Sequence, residues 1–163
     1  MSDLITHLHT ILERLRPQDV KGLLAIPGIG AYTAGAIASI AFGKKEALVD
    51  GNVIRVLTRL RGYAGDTKAK KGADAVWAAA RQLVPEERPG DFNQSLMELG
   101  ATCCTPKAPG CRRCPLRRAC AVAEEAKQLQ IPCEEHALRF PFKAEKKPSR
   151  QQGGSSMDFW QIF

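Results

Sequence analysis

The stretch Leu24-Ala25-Ile26-Pro27-Gly28-Ile29-Gly30-Ala31-Tyr32-Thr33-Ala34-Gly35-Ala36-Ile37-Ala38-Ser39 joins two helical patterns through a turn that a helix cannot cross. Upstream, Asp19 is placed to cap a short helix carrying Val20, Leu23, Leu24 and Ile26. Pro27-Gly28-Ile29-Gly30 is a tight turn. Downstream, a helix of small residues is expected from Tyr32 to Ala41, ending at Gly43. The two glycines let the main chain approach a ligand closely. The second helix opens with free N–H groups, and their donors and dipole suit a phosphate. Backbone carbonyls of the turn can also hold a monovalent cation. An ordinary αα-corner favours glycine as well, so the turn alone does not choose between ligand site and corner.

Working outward, Leu4, Leu8, Ile11, Leu12 and Leu15 share one face of a helix over 3–16, which Pro17 stops. That face has no partner upstream, which suggests that the chain starts inside a fold. Beyond the hairpin, Val53, Val56, Leu57 and Leu60 mark a helix from about Asn52 to Arg61. An Ala-rich helix follows over 72–84, and Asp91 caps another, Phe92 to Leu99. No internal repeat and no strand pattern appear, so the expected fold is all-α. Three regions are expected: a helical unit over 1–100, a cysteine loop over 101–123, and a linker with a disordered tail over 124–163. The last expectation rests on the fading periodicity after Glu134, the run Lys143, Lys146, Lys147, Pro148 and Arg150, and the Gln-Gly-Ser stretch that follows.

Of 163 residues 44% are hydrophobic, enough for a packed core over much of the length. Lys and Arg number 24 against 17 Asp and Glu, and the net charge of +7 favours a polyanionic partner. The longest apolar stretch, around Ala34–Phe42, is far short of the roughly 20 residues that a membrane span needs. The opening MSDLITHLHT lacks the pattern of a secretory signal.

Four of the six cysteines, Cys104, Cys111, Cys114 and Cys120, are spaced C-x6-C-x2-C-x5-C. Disulfides fit poorly, because Cys111 and Cys114 are too close to staple much chain. Four thiolates suit either zinc or an iron–sulfur cluster. Zinc ribbons pair two C-x2-C knuckles across a long gap; one x2 gap flanked by x6 and x5 favours [4Fe–4S]. Lys107, Arg112, Arg113, Arg117 and Arg118 lie in this loop with no acid between Cys104 and Cys120. They can offset the cluster's charge and face phosphates, or simply solvate a surface loop. Cys103 and Cys133 fall outside the spacing and read as ordinary thiols.

Val49-Asp50-Gly51-Asn52-Val53 puts one acid at a helix entrance. As an N-cap, Asp50 stabilises by about 1 kcal/mol. As a carboxylate whose charge the helix N-terminus favours, it can stabilise an oxocarbenium-like sugar cation during glycosidic cleavage. Both roles are compatible. Gly51 would let a DNA backbone come near, and Asn52 can add a hydrogen bond at the same place.

Hairpin, acid and cysteine loop, in this order, closely resemble the helix-hairpin-helix DNA glycosylases with a C-terminal [4Fe–4S] loop, and within them the MutY adenine glycosylases. The resemblance covers roughly residues 20–123 and is carried by Ile26 to Ser39, Val49 to Val53, Gly90-Asp91-Phe92-Asn93-Gln94, Met97-Glu98-Leu99-Gly100-Ala101 and the four spaced cysteines. It implies a partial helix-hairpin-helix glycosylase fold, a [4Fe–4S] cluster on Cys104, Cys111, Cys114 and Cys120, and DNA contacts from Pro27, Gly28, Ile29, Gly30, Thr33, Gly51, Arg112, Arg113, Arg117 and Arg118. Endonuclease III-type enzymes have a Schiff-base lysine where this chain has Tyr32. A tyrosine cannot form that adduct, which points to a monofunctional glycosylase with Asp50, Asn52 and Tyr32 at its centre. The implied partner is double-stranded DNA holding adenine opposite 8-oxoguanine or guanine. The adenine is flipped out, protonated and released, and water then attacks the sugar. A monomer is expected, acting in a nucleus or mitochondrion or in a bacterial cytoplasm.

Three departures qualify the resemblance. The family's general acid is a glutamate well before the hairpin, whereas only about 26 residues precede it here and Glu13, the sole glutamate among them, lacks the matching context. Glu46 and Glu98 are replacements by composition only. Residues 143–163 can hold at most the linker to the family's Nudix-like domain. Ala31 stands where the family tends to have a basic residue. The alternatives are therefore a [4Fe–4S] DNA-binding piece without catalysis and, against Tyr32, an endonuclease III-like lyase.

Overall fold

A computed structural model describes residues 19–142. The helix expected over 3–16 and the tail over 143–163 lie outside the described residues. Those described are helical, with no strand among them.

The first helix, α1 (Val20–Leu24), is capped by Asp19, whose Oδ1 accepts from the Gly22 amide at 2.7 Å. The turn closes through Ile29 N–H donating to the Ile26 carbonyl at 3.1 Å. Gly28 sits at φ +87°, a conformation that L side chains rarely adopt. Leu23, Ala34 and Ala38 form the small core that holds the hairpin together, with Ile29 packed against it.

The hairpin's second helix, α2, spans Ala31–Ala36 and then widens into a π-helical turn, Ile37–Ala41, ahead of Gly43 at φ +62°. The uniform helix expected to Ala41 is thus interrupted at its last turn. Ser39 Oγ donates to the Gly35 carbonyl at 2.8 Å, competing with the helical ladder. Asn93, 1% exposed, donates to Ser39 Oγ at 2.9 Å and to the Glu46 carbonyl at 2.8 Å. One buried amide thereby fixes the widened turn and the connection after it. A Cβ on Gly90 would stand 2.7 Å from the Ser39 carbonyl, so glycine is what lets the next layer come this close.

The main core lies between α3 (Gly51–Arg61), α4 (Lys70–Leu83) and α5 (Pro89–Thr102), around Leu48, Val53, Val56, Leu57, Val76, Ala80, Val84 and Leu96. Gly72 meets the Asp66 backbone, with which a Cβ would collide, and so seats the start of α4. After the cysteine loop the chain continues into α6 (Ala121–Gln128) and α7 (Cys133–Ala137). The expected linker therefore begins as packed helix: Val122, Ala137 and Phe140 form a third core beside Cys111 and Cys120. His136 Nε2 lies 2.9 Å from Glu125 Oε2, fastening α7 to α6.

Candidate functional site

Asp50 stands at the entrance of α3 as the sequence predicts. Its Oδ1 accepts from the Val53 amide at 2.7 Å, and its Oδ2 from Asn52 Nδ2 at 3.0 Å. The cap and the asparagine fix the carboxylate's orientation at the positive end of an 11-residue helix. Gly51 beside it is exposed, and nothing lies within 4 Å of where its Cβ would be.

Asn52 is held in turn. Arg55 Nη2 donates to Asn52 Oδ1 at 2.7 Å and to the Gly100 carbonyl at 2.7 Å, while its Nε donates to the Cys104 carbonyl at 2.7 Å. Burial and the neighbouring Arg59 cation pull the Arg55 pKa below its usual value. Arg59, one turn on and 3% exposed, donates to the Thr105 carbonyl at 2.8 Å, the Phe140 carbonyl at 3.1 Å and Cys104 Sγ at 3.4 Å. One face of α3 thus runs from the acid to the cysteine loop. Sequence reading missed both arginines; their signal is the spacing of three and then four along the face that begins at Asn52.

The hairpin leaves most of its turn open to solvent. Pro27, Gly28, Gly30 and Thr33 are exposed, and a Cβ on either glycine would meet nothing within 4 Å. Ile29 instead turns its side chain into the hairpin core, leaving only its main chain for a ligand. Tyr32 is exposed, with its hydroxyl 3.8 Å from Met97 Sδ. Glu98, next to Met97, lies exposed on α5.

The cysteine loop is two 3₁₀ turns, Cys111–Arg113 and Arg117–Ala119. Cys104, Cys111, Cys114 and Cys120 line one cavity of about 30 Å³, and Cys103 and Cys133, expected as ordinary thiols apart from the site, line it as well. No three metal-binding side chains among the described residues stand close enough to hold a single metal ion. Burial raises the thiols of Cys111, Cys114 and Cys120 above the usual range. Arg112, Arg113, Arg117 and Arg118 are exposed, and none pairs with an acid among the described residues. Arg113 donates to the Thr102 carbonyl at 3.2 Å and Arg117 lines the cavity, so two of the four also support the loop.

Residues 11–40 match the model of the helix-hairpin-helix motif. The adenine DNA glycosylase of Homo sapiens is 51% identical over 106 residues, which is 65% of this chain and 19% of that protein. The Arabidopsis thaliana adenine DNA glycosylase is 49% identical over 118 residues, 71% of this chain and 19% of that protein. A thymine/uracil-DNA glycosylase of Methanothermobacter thermautotrophicus is 38% identical over 109 residues, 67% of this chain and 49% of that protein. The chain therefore spans between about a fifth and a half of the length of these relatives. A solved non-covalent endonuclease III–DNA complex superposes with a TM-score of 0.55 at 27% identity, covering 69% of this chain and 51% of that one. By sequence and by fold, this stretch is similar to the helix-hairpin-helix DNA glycosylases, adenine DNA glycosylases among them.

Proposed function

We propose that this chain carries the DNA-gripping and sugar-facing part of an adenine DNA glycosylase acting on adenine opposite 8-oxoguanine or guanine. The observation that carries the reading is the carboxylate of Asp50, held by Val53 and Asn52 at the mouth of α3 beside the open main chain of Gly51. A fixed anion there can meet the positive charge that develops on the sugar as the base departs, and needs no reorganisation to do so. Tyr32 offers no amine for a Schiff base, so the reading is hydrolysis without strand cleavage. Gly28 and Gly30 offer main-chain donors to a phosphate, and the arginines of the loop offer charge.

The residues fit a [4Fe–4S] cluster on Cys104, Cys111, Cys114 and Cys120. The four cysteines line one cavity, and four thiols are the donor set that such a cluster takes. When bound, the cluster supplies cross-linking of the loop rather than chemistry at the sugar. Arg59 donates to Cys104 Sγ, as second-layer donors to cluster sulfurs do.

The test is single-turnover adenine release from an 8-oxoguanine·adenine duplex, beside duplex binding, with the reconstituted chain acting as a monomer. Release that vanishes in Asp50→Asn supports the reading. Binding without release overturns it in favour of a DNA-binding piece.

A further inference from the structure

The cavity behind the cysteine loop is lined by two more thiols than a four-iron cluster needs, and the two differ in how they are held. Cys103 lines the cavity with Cys114, and its Sγ donates to the Gly110 carbonyl at 3.5 Å. Cys133 makes no such bond to a carbonyl among the described residues; it lines the cavity with Cys111, and Cys111 packs against the core that includes Ala137 of the helix Cys133 opens. It is 8% exposed and opens α7, which the His136–Glu125 contact and the core of Val122, Ala137 and Phe140 fasten in place. Cys111, by contrast, belongs to a three-residue 3₁₀ turn whose other two residues are exposed arginines. A cysteine at the head of a packed helix and a cysteine of the loop thus line the same space.

We propose that Cys133 is a reserve ligand of this cavity, able to take over the iron held by Cys111. The proposal rests on the [4Fe–4S] reading given above. In the exchange the iron–sulfur bond to Cys111 breaks and one to Cys133 forms. The proton of the Cys133 thiol passes to the Cys111 sulfur, so no electron is transferred and no oxidant is needed. The consequence is that the turn at Cys111–Arg113 can move on the DNA without the cluster being lost.

Four chains decide it after anaerobic reconstitution with iron and sulfide: wild type, Cys133→Ala, Cys111→Ala and the double variant. Iron, sulfide and visible absorbance are measured on each. Expected is a full cluster in Cys133→Ala, most of the wild-type content in Cys111→Ala with an altered spectrum, and none in the double variant. Loss in Cys111→Ala as complete as in the double variant overturns the proposal. So does a cluster retained by the double variant, because some other group then fills the position. A wild-type chain that takes up no iron and sulfide refutes the cluster reading itself, a separate outcome. Should Cys111→Ala fail to fold by circular dichroism, chelator-driven cluster loss decides between wild type and Cys133→Ala. Loss several-fold faster in Cys133→Ala supports a reserve ligand, and equal rates overturn it.

Discussion

A Cβ added to Gly100 would stand 2.7 Å from the Cβ of Asn52 and 3.1 Å from its Cα and carbonyl oxygen. Helix α5 therefore rests directly on the backbone next to the acid, and the opposing atoms are not ones that a rotamer can move. Gly100→Ala should cost about 1–3 kcal/mol through overpacking. It should also displace Asn52 from Asp50 Oδ2, so that base release falls by more than the loss of folded protein explains. Thermal unfolding and single-turnover release on the same preparation check this. Unchanged release per folded chain would show that the contact is packing alone.

Arg55→Met keeps much of the side chain's length and removes the donors to Asn52 Oδ1 and to the carbonyls of Gly100 and Cys104. Acceptors that lose a partner in a partly buried setting cost about 1–3 kcal/mol. The expected result is a lower unfolding midpoint, with a milder loss of release than Asp50→Asn gives. Wild-type stability in denaturant titration would show that water replaces the guanidinium.

Asp50→Asn should lower adenine release by on the order of 10²–10³-fold or more, the scale of removing a group that meets transition-state charge. Duplex binding should hold or tighten, because an anion near phosphates is gone. An asparagine also caps helices well, so stability should change little. Fluorescence anisotropy with a labelled duplex separates this from a structural role, in which binding and stability would fall together.

Asn93→Leu removes the amide that holds both Ser39 Oγ and the Glu46 carbonyl. The expected loss is about 1–3 kcal/mol for the buried acceptor left unpaired. Faster amide exchange should be confined to the hairpin and to residues 42–48. Exchange that rises evenly over the molecule would place the amide's effect in the core at large.

The parts of this protein that were legible in its sequence are those written locally. The hairpin turn, the Asp19 and Asp50 caps and the helices of the main core follow from periodicity and turn chemistry within a few residues. The π-helical turn at Ile37–Ala41 was not legible, because it depends on Asn93, which lies 54 positions from Ser39. Arg55 and Arg59 escaped notice because a buried arginine donating to carbonyls looks, in a sequence, like one facing water. Residues 124–142 read as a linker because α6 and α7 are short, although Val122 and Ala126 stand one helical turn apart and are both buried. The cysteine spacing picked out a set of four, while the cavity gathers six, since Cys133 arrives from a helix that the spacing does not include.

The hairpin turn from Ala25 to Ala31 contains no charged side chain, whereas the loop between Cys104 and Cys120 contains five. If both touch the duplex, they do so under different laws. Each phosphate neutralised by an arginine or lysine releases condensed cations and steepens the fall of log K with log salt by about 0.9. Main-chain amides donating to a phosphate displace far less of that ion atmosphere. Ionic strength thus becomes a dissecting tool: the slope counts the loop's contacts, and the affinity surviving in concentrated salt belongs to the hairpin.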